Sequence, residues 1–290
     1  MTSDDPLTAA CCITDLGHSL DRHGYVVLED FLKPRELPEI KQMFDSTLRL
    51  PGEHVCRRPH NTLAPLRWDD SIVLAILNSA SRLEIVRTAA EAGDLRWISG
   101  YISIKEPCSP ALWWHQDWWC WDHPASYRRA PLQVALLCYL SETSMETGAL
   151  RILPGSHHRS APIHALLPEA HAKAEEVTPE DTVMNNLPGQ VTFSANAGDA
   201  VLIDYRLLHG THPNHGRLRR DCIILNFAPH WRQLPTDIRA HLIRHPAQPT
   251  GDESVPSSHV LSNLLPTFSG VRRDLPLNRN APAYFQVEGD

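Results

Sequence analysis

The chain has 290 residues, of which 42% are hydrophobic and 21% charged, as in an ordinary globular protein with one sizeable core. A formal net charge of −7 with scattered arginines predicts no nucleic-acid partner, and the lack of any run of about 18 apolar residues predicts no membrane-spanning helix. Seven cysteines without Cys-x-x-Cys spacing, and an acidic N-terminal stretch without the basic region of a secretory signal, favour a cytoplasmic protein.

The first part of the chain predicts one short strand and several helices. Residues 24–28 form an apolar run typical of a strand. Pro34 suits an early helical position, and helical spacing follows at Leu37, Ile40, Met43 and Phe44. Apolar residues between 71 and 92 predict one or two further helices. The stretch 51–68, rich in proline, arginine and histidine, is expected to be a loop.

From residue 95 the pattern changes to short apolar runs bounded by glycine, aspartate and proline. These runs predict strands at 97–104, 133–140, 148–153, 190–195, 200–208 and 221–228. Strands of this kind after helices predict a mainly β fold, a barrel or jelly roll with flanking N-terminal helices.

We expect a single domain over 1–290, with its β core at roughly 95–232. Within that core, residues 156–188 show little strand character and are a candidate lid. The proline-rich tail 233–290 is expected to wrap the core.

A short motif within a tryptophan cluster carries the first sign of chemistry. Its sequence is Trp113-Trp114-His115-Gln116-Asp117-Trp118-Trp119. On a strand, His115 and Asp117 would share a face, because alternate side chains point the same way. An imidazole and a carboxylate that converge there can occupy adjacent positions on a metal ion, and a second histidine would complete a facial triad. An isolated His-x-Asp is also common on protein surfaces.

The best second histidine is His209, which follows an apolar run and precedes a glycine. His212 and His215 are rivals by composition alone. Eleven residues after His209, Arg220 leads a predicted strand, where a fixed guanidinium could anchor a dicarboxylate. Arg219 is the alternative, but strand alternation sends its side chain to the other face.

Together these segments resemble the phytanoyl-CoA dioxygenase family of Fe(II)- and 2-oxoglutarate-dependent oxygenases. The resemblance covers most of residues 18–231 in order and spacing. It is carried by His23-Gly24-Tyr25-Val26-Val27, Trp114-His115-Gln116-Asp117-Trp118, Gly148-Ala149-Leu150-Arg151-Ile152-Leu153-Pro154-Gly155-Ser156-His157, Ala197-Gly198-Asp199, His209-Gly210-Thr211-His212-Pro213-Asn214 and Arg220.

The resemblance implies a double-stranded β-helix (a jelly roll of the cupin kind) and a set of cofactors with their ligands. Fe(II) would be held by His115, Asp117 and His209. The distal carboxylate of 2-oxoglutarate would pair with Arg220 and with the hydroxyl of Thr211, and O2 would be the second cosubstrate. Gln133 stands where relatives often have a tryptophan beside 2-oxoglutarate, so either a cosubstrate contact or a plain core-edge position is expected for it.

The tryptophans after the motif are candidates for the substrate pocket. Trp118, Trp119 and Trp121 directly follow the metal-binding segment, so at least one is expected to line the cavity, where its ring could pack an apolar substrate or a cation. The alternative for each of them is a place in the core.

The function implied is hydroxylation of an unactivated C–H bond in a small or medium-sized organic substrate, with natural-product metabolism as one setting. Desaturation, epoxidation or ring formation at the same iron site are alternatives. A non-catalytic cupin-like binding protein belongs to another class and is disfavoured by the complete set His115, Asp117, His209 and Arg220, since a site without activity would be expected to lose one of them. A zinc hydrolase is a third possibility, but it has no need of Arg220 as a dicarboxylate anchor. The sequence predicts no oligomeric state.

Overall fold

The computed structural model describes residues 16–49, 55–168, 177–178, 180–250, 253 and 260–289. Its helices are α1 (Leu16–His23), α2 (Leu37–Arg49), α3 (Ser71–Leu77), α4 (Ala80–Ala89) and α5 (Thr236–Leu242). Its strands are β1 (Tyr25–Leu28), β2 (Cys56–Arg57), β3 (Thr62–Leu66), β4 (Arg96–Lys105), β5 (Leu112–His115), β6 (Val134–Tyr139), β7 (Leu150–Ile152), β8 (Val191–Phe193), β9 (Ala200–Asp204), β10 (His209–Thr211) and β11 (Arg220–Ala228).

Two antiparallel sheets contain all of these strands. The larger has the order β1-β9-β6-β11-β4-β3-β2, and the smaller has the order β5-β10-β7-β8. Several strands that are neighbours in space are distant in sequence, as in a jelly roll, and β5 and β10 come from segments almost a hundred residues apart. The predicted mainly β jelly roll is therefore confirmed.

The larger sheet is buried on both faces, so its central strand β6 consists of buried, mostly apolar residues. In β6, Leu136 and Cys138 pack in a core that includes α1 to α4, whereas Leu137 and Tyr139 belong to the core between the two sheets. This alternation decides which residues of the sheet reach the interior. The flanking N-terminal helices are present as predicted.

The prediction of a loop at 51–68 is wrong, because the described part of this stretch contributes β2 and β3 to the larger sheet. The two residues of β2 pair only with Thr62 and Leu63, so the rest of β3 is a border strand. Pro65 is tolerated there because a border strand has one side without ladder hydrogen bonds. The strand β3 was not predicted, because the stretch 51–68 around it is rich in proline, arginine and histidine.

The strand expected at 200–208 is shorter than predicted, since β9 ends at Asp204 and His209 begins a new strand in the other sheet. The turn between them passes the chain from the larger sheet to the smaller one. This turn supports the functional site.

The candidate lid and the candidate wrap both pack on the core where they are described. Ile163, Val183 and Met184 of the former lie in an apolar cluster with Trp113 and Trp114 of the smaller sheet. In the wrap, the ring of Phe285 lies in the core between the sheets. The single-domain boundaries and the lid function stay predictions. Within the described ranges, no helix has the length and apolar character needed to cross a membrane.

Candidate metal centre

Two histidines lie opposite each other where β5 pairs with β10. His115 ends β5, His209 begins β10, and the two are register partners with ring centroids 4.3 Å apart. Asp117 places Oδ1 3.7 Å from Nε2 of His115 and Oδ2 3.6 Å from Nε2 of His209. One ligand atom from each residue lies within 4.8 Å of the others. The sequence-predicted triad thus comes together at one point.

Backbone carbonyls orient both imidazoles. Nδ1 of His115 is 3.0 Å from the carbonyl oxygen of Trp113, and Nδ1 of His209 is 2.9 Å from that of Leu207. A carbonyl only accepts, so each Nδ1 carries the proton and donates, which leaves the Nε2 lone pair for a metal ion. The strands approach closely because residue 210 is glycine: a Cβ there would lie 2.9 Å from the same Trp113 oxygen.

Asp117 lies beyond the end of β5, so strand alternation alone does not place it, contrary to the expectation of a shared strand face. The turn after β9 fixes it instead. The backbone amides of Asp117 and Trp118 both donate to the carbonyl of Tyr205 at 2.9 Å. The side-chain amide of Gln116 donates to the next carbonyl, that of Arg206. The turn therefore holds the segment that carries the carboxylate.

A buried ion pair holds this turn. Nη2 of Arg206 is 2.7 Å from Oδ2 of Asp204, and the two side chains are 1% and 2% exposed. Oδ1 of Asp204 also accepts from the Arg206 amide at 2.7 Å. Burial alone would raise the pKa of Asp204, but the Arg206 guanidinium holds that pKa below its usual value. The remaining guanidinium donors reach the carbonyls of Ser126, Arg128 and Arg129.

The alternatives to His209 and Arg220 that the sequence offered do not lie at the triad. Nε2 of His212 is 2.8 Å from Oγ1 of Thr192, and His215 is exposed. Arg219 forms ion pairs with Asp45 and with Asp221. Within the described ranges, the triad is the one group of histidine, cysteine or carboxylate side chains with the spacing of a metal site.

Arg220 lies in the interior between the sheets, and one of its guanidinium nitrogens has no hydrogen-bond acceptor among the described residues. It is 4% exposed, and its Nη2 donates to Oγ of Ser103 at 3.4 Å. Its guanidinium carbon is 5.7 Å from the ring centroid of Tyr139. Nε is buried without a hydrogen-bond partner among the described residues. A buried, incompletely paired guanidinium is suited to a carboxylate.

Pattern analysis missed the residues around this arginine. Lys105 is its register partner on β4, fully buried, and donates to the carbonyls of His60 at 3.0 Å and Pro110 at 2.6 Å. Burial, with the nearby charge of Arg220, lowers the pKa of Lys105 to about 6. The available signal was a polar residue at the end of the predicted strand 97–104, where Ser103 also interrupts an apolar pattern.

The other two predicted cosubstrate residues are buried and engaged. Oγ1 of Thr211, two residues after His209 on the same strand, accepts from the Leu112 amide at 3.3 Å. Oε1 of Gln133 accepts from Nε1 of Trp119 at 2.6 Å. Gln133 therefore orients a tryptophan, and a direct contact of either residue with 2-oxoglutarate stays a prediction.

The three candidate pocket tryptophans all belong to the core between the sheets. Nε1 of Trp118 donates to Oγ of Ser126 at 2.9 Å, and the ring of Trp121 packs on Phe285 at 4.8 Å. Trp119 packs on the imidazole of His241 at 4.4 Å. Their contact with a substrate stays a prediction.

Polar side chains that the sequence did not single out line the interior near the triad carboxylate. Burial raises the pKa of the phenols of Tyr101 and Tyr205, and the negative charge of the triad carboxylate raises both further. The Tyr101 hydroxyl is 3.4 Å from Nε2 of His245. Nδ2 of Asn226 donates to Oγ of Ser99 at 2.9 Å, while its Oδ1 is buried without a partner in the described part of the chain.

The donor set fits a non-haem iron centre. Two imidazole nitrogens and one carboxylate are the facial triad of Fe(II) oxygenases, which leaves positions for a chelating cosubstrate and O2. The unpaired Nε of Arg220 in the same interior fits the far carboxylate of 2-oxoglutarate.

A jelly roll with this triad defines a non-haem Fe(II)- and 2-oxoglutarate-dependent dioxygenase. Residues 20–222 match the phytanoyl-CoA dioxygenase (PhyH) family, and the chain belongs to that family.

Characterised relatives and solved structures agree with this class. An ectoine dioxygenase from Nocardia farcinica is 26% identical over 225 residues, which cover 72% of this chain and 75% of the relative. An L-proline trans-4-hydroxylase from Streptomyces griseoviridis is 27% identical over 161 residues, 50% of this chain and 57% of the relative.

Two solved structures share the fold. The epimerase SnoN in complex with Fe3+, α-ketoglutarate and nogalamycin RO superimposes with a TM-score of 0.57 at 19% identity, over 94% of this chain and 99% of that one. EctD from S. alaskensis with 2-oxoglutarate and 5-hydroxyectoine gives 0.55 at 18% identity, over 79% and 78%.

Proposed function

We propose that this dioxygenase hydroxylates an unactivated C–H bond of a small or medium-sized organic molecule. In this proposal His115, Asp117 and His209 hold Fe(II), and Arg220 binds the distal carboxylate of 2-oxoglutarate. The observation that carries it is the convergence of three ligand atoms within 4.8 Å in the same interior as a buried guanidinium with an unpaired Nε. The exclusion of nucleic acid and membrane partners, and a cytoplasmic location, stay predictions from the sequence.

The residues of the chain bind and position, and the cofactors supply the oxidising power. When bound, Fe(II), 2-oxoglutarate and O2 would supply the oxidation, with one oxygen atom of O2 entering the substrate C–H bond and the other entering the succinate formed with CO2. The carbonyls of Trp113 and Leu207 keep both imidazole Nε2 atoms aimed at the metal position. The hydrogen bond from the Asp117 backbone amide to the Tyr205 carbonyl positions the third ligand.

The burial of Arg220 serves cosubstrate selection. A charge that is 4% exposed is little screened by solvent, so its pairing with a carboxylate is stronger than at the surface. A ligand that binds the metal through a keto acid and pairs with Arg220 needs a carboxylate at each end, so a dicarboxylic keto acid is favoured over a monocarboxylic one.

The test is anaerobic titration of the Fe(II)-loaded protein with 2-oxoglutarate, monitored by the visible charge-transfer band of a chelated keto acid. The band is expected in the native protein and at much higher 2-oxoglutarate concentration in Arg220→Ala. Arg219→Ala is the matched control, because that side chain is ion-paired to Asp45 and Asp221. Iron binding without a band would overturn the proposal.

Product analysis then separates the possible outcomes of turnover. Hydroxylation adds one oxygen atom to the substrate, whereas desaturation and ring formation remove two hydrogen atoms. A product without added oxygen would refute the hydroxylase assignment and leave the iron site in place.

A further inference from the structure

A C-terminal segment lies against the stretch that follows the triad carboxylate. The Asn278 amide donates to the Trp119 carbonyl at 2.9 Å, and the Asn278 carbonyl accepts from the Trp121 amide at 3.1 Å. Its side-chain amide donates to the carboxylate of Asp122 at 2.7 Å. Because Trp119 is two residues after Asp117, these bonds fix residue 279 close to the triad.

Residue 279 is an arginine, and its side chain is half-buried. Its positive charge acts on the phenols of Tyr101 and Tyr205, which also feel the charge of the triad carboxylate. It acts as well on the imidazole of His241, which packs on Trp119. Throughout the described part of the chain, Arg279 has neither an ion-pair partner nor a hydrogen bond from its guanidinium. A guanidinium withdrawn from water in this way is suited to a ligand anion.

No carboxylate among the described residues forms an ion pair with Arg279, and that of Asp122 instead accepts from the side chain of Asn278. Asp237 is 3.3 Å from His123, and Asp274 is 2.7 Å from Arg244, so both carboxylates have partners of their own. Burial lowers the pKa of His245 to about 4, so its imidazole is neutral near pH 7. The charge of Arg279 is therefore not paired within the described residues.

The charges of the centre with Fe(II) and 2-oxoglutarate bound also favour an anionic ligand at Arg279. Fe(II) and Arg220 together offset the carboxylate of Asp117 and the two carboxylates of 2-oxoglutarate. Lys105 adds little, because its pKa of about 6 leaves it largely uncharged at neutral pH. Arg279 is then a surplus positive charge that a monoanionic substrate would neutralise.

We propose that Arg279 binds a carboxylate of the substrate, and that the substrate is a small carboxylic acid that also carries a hydrogen-bond donor, such as an amino or imino acid. The donor would meet Oδ1 of Asn226, which is buried and unpaired within the described residues. The inference rests on the proposed function. Arg279 lies outside residues 20–222, so family membership does not assign it.

The test uses the full chain loaded anaerobically with Fe(II) and 2-oxoglutarate. Probes are the proteinogenic amino acids and ectoine, each paired with its primary amide, and binding is followed by tryptophan fluorescence, since Trp119 contacts His241 at this end. An acid that binds is expected to bind about 10- to 100-fold more tightly than its amide, the effect of a charge-assisted hydrogen-bonded pair.

Variants assign this preference to one side chain. Arg279→Gln should weaken binding of the acid by the same factor and remove the difference between acid and amide, with an unchanged thermal midpoint. Arg272→Gln, an exposed arginine of the same segment, is the control and should change neither. Equal affinity of the acid for native protein and Arg279→Gln overturns the proposal, as does a panel in which no carboxylate binds.

The 2-oxoglutarate band, recorded in the same samples, separates this proposal from the proposed function. Loss of acid preference in Arg279→Gln with an intact band supports both. A native protein that discriminates acid from amide without any band refutes the oxygenase function alone. A normal band without discrimination refutes the role of Arg279 alone.

Discussion

Replacement of Asp204 by alanine tests how much the buried ion pair with Arg206 contributes to folding stability at the turn that holds Asp117. The change leaves a guanidinium that is 1% exposed without its carboxylate and removes the acceptor of the Arg206 amide. The turn after β9 then loses the contact that fixes its shape. The carbonyl of Tyr205, which anchors Asp117 and Trp118, belongs to that turn.

The cost follows from burial. Removal of one partner from a buried ion pair destabilises by about 3–5 kcal/mol. That is a large share of the roughly 5–15 kcal/mol by which a typical domain is stable. The double variant Asp204→Ala/Arg206→Met should regain part of the loss, because it removes the uncompensated charge. It should not regain all of it, since Arg206 also donates to three backbone carbonyls.

Urea unfolding at pH 7 of the native protein, Asp204→Ala, Arg206→Met and the double variant measures these differences. The pH dependence gives a second reading. Because the pKa of Asp204 is lowered in the folded state, its contribution is complete above the usual carboxyl value of 3.8 and is lost as the pH falls through the folded pKa. A loss below about 1 kcal/mol in Asp204→Ala, or strictly additive effects in the double variant, would refute the reasoning.

Two further predictions concern the interior. Asp117→Ala should lower the affinity for Fe(II), measured as iron retained on gel filtration, by more than the roughly 10- to 100-fold that follows loss of a hydrogen-bond partner of a metal ligand. It should also abolish coupled succinate formation. Turnover at the native rate would show that Asp117 is not a metal ligand. For Lys105, with a pKa of about 6 against a usual 10.5, the unfolded state binds more protons between these values, so stability should rise with pH across that interval. Lys105→Met should flatten this rise in unfolding experiments, and an unchanged slope would contradict the burial of a neutral amine.

Local spacing was enough to predict much of the fold and of the candidate triad. Apolar runs after residue 95 predicted the jelly roll, and the two-residue spacing of His115 and Asp117 marked one half of the metal centre. Local features favoured His209 and Arg220 over their rivals, but the family resemblance was needed to join them to the triad, because the pairing of β5 with β10 joins segments distant in sequence. Alternation separated Arg220 from Arg219, and the structure places the two in different surroundings.

Features without a local pattern could not be predicted. The strand that includes Pro65 lies at a sheet border, where its short apolar run is interrupted by a proline that argues against a strand. Asn226 and Arg279 are single polar residues whose meaning depends on what three-dimensional folding places beside them. Asp204 and Arg206 fall within the strand predicted at 200–208, and only the structure shows that they form a buried turn that supports the site.

The direct pairing of His115 with His209 has a consequence for metal selection. Sheet geometry, rather than the metal ion, sets the spacing of these two ligands, so the entropy of bringing them together is lost on folding. A site assembled in advance from two imidazoles and one carboxylate offers little discrimination among divalent first-row ions, whose affinities then follow the Irving–Williams order. Nickel and copper should therefore displace iron in vitro, and the supply of metal in the cell, rather than the protein, would decide which ion is bound.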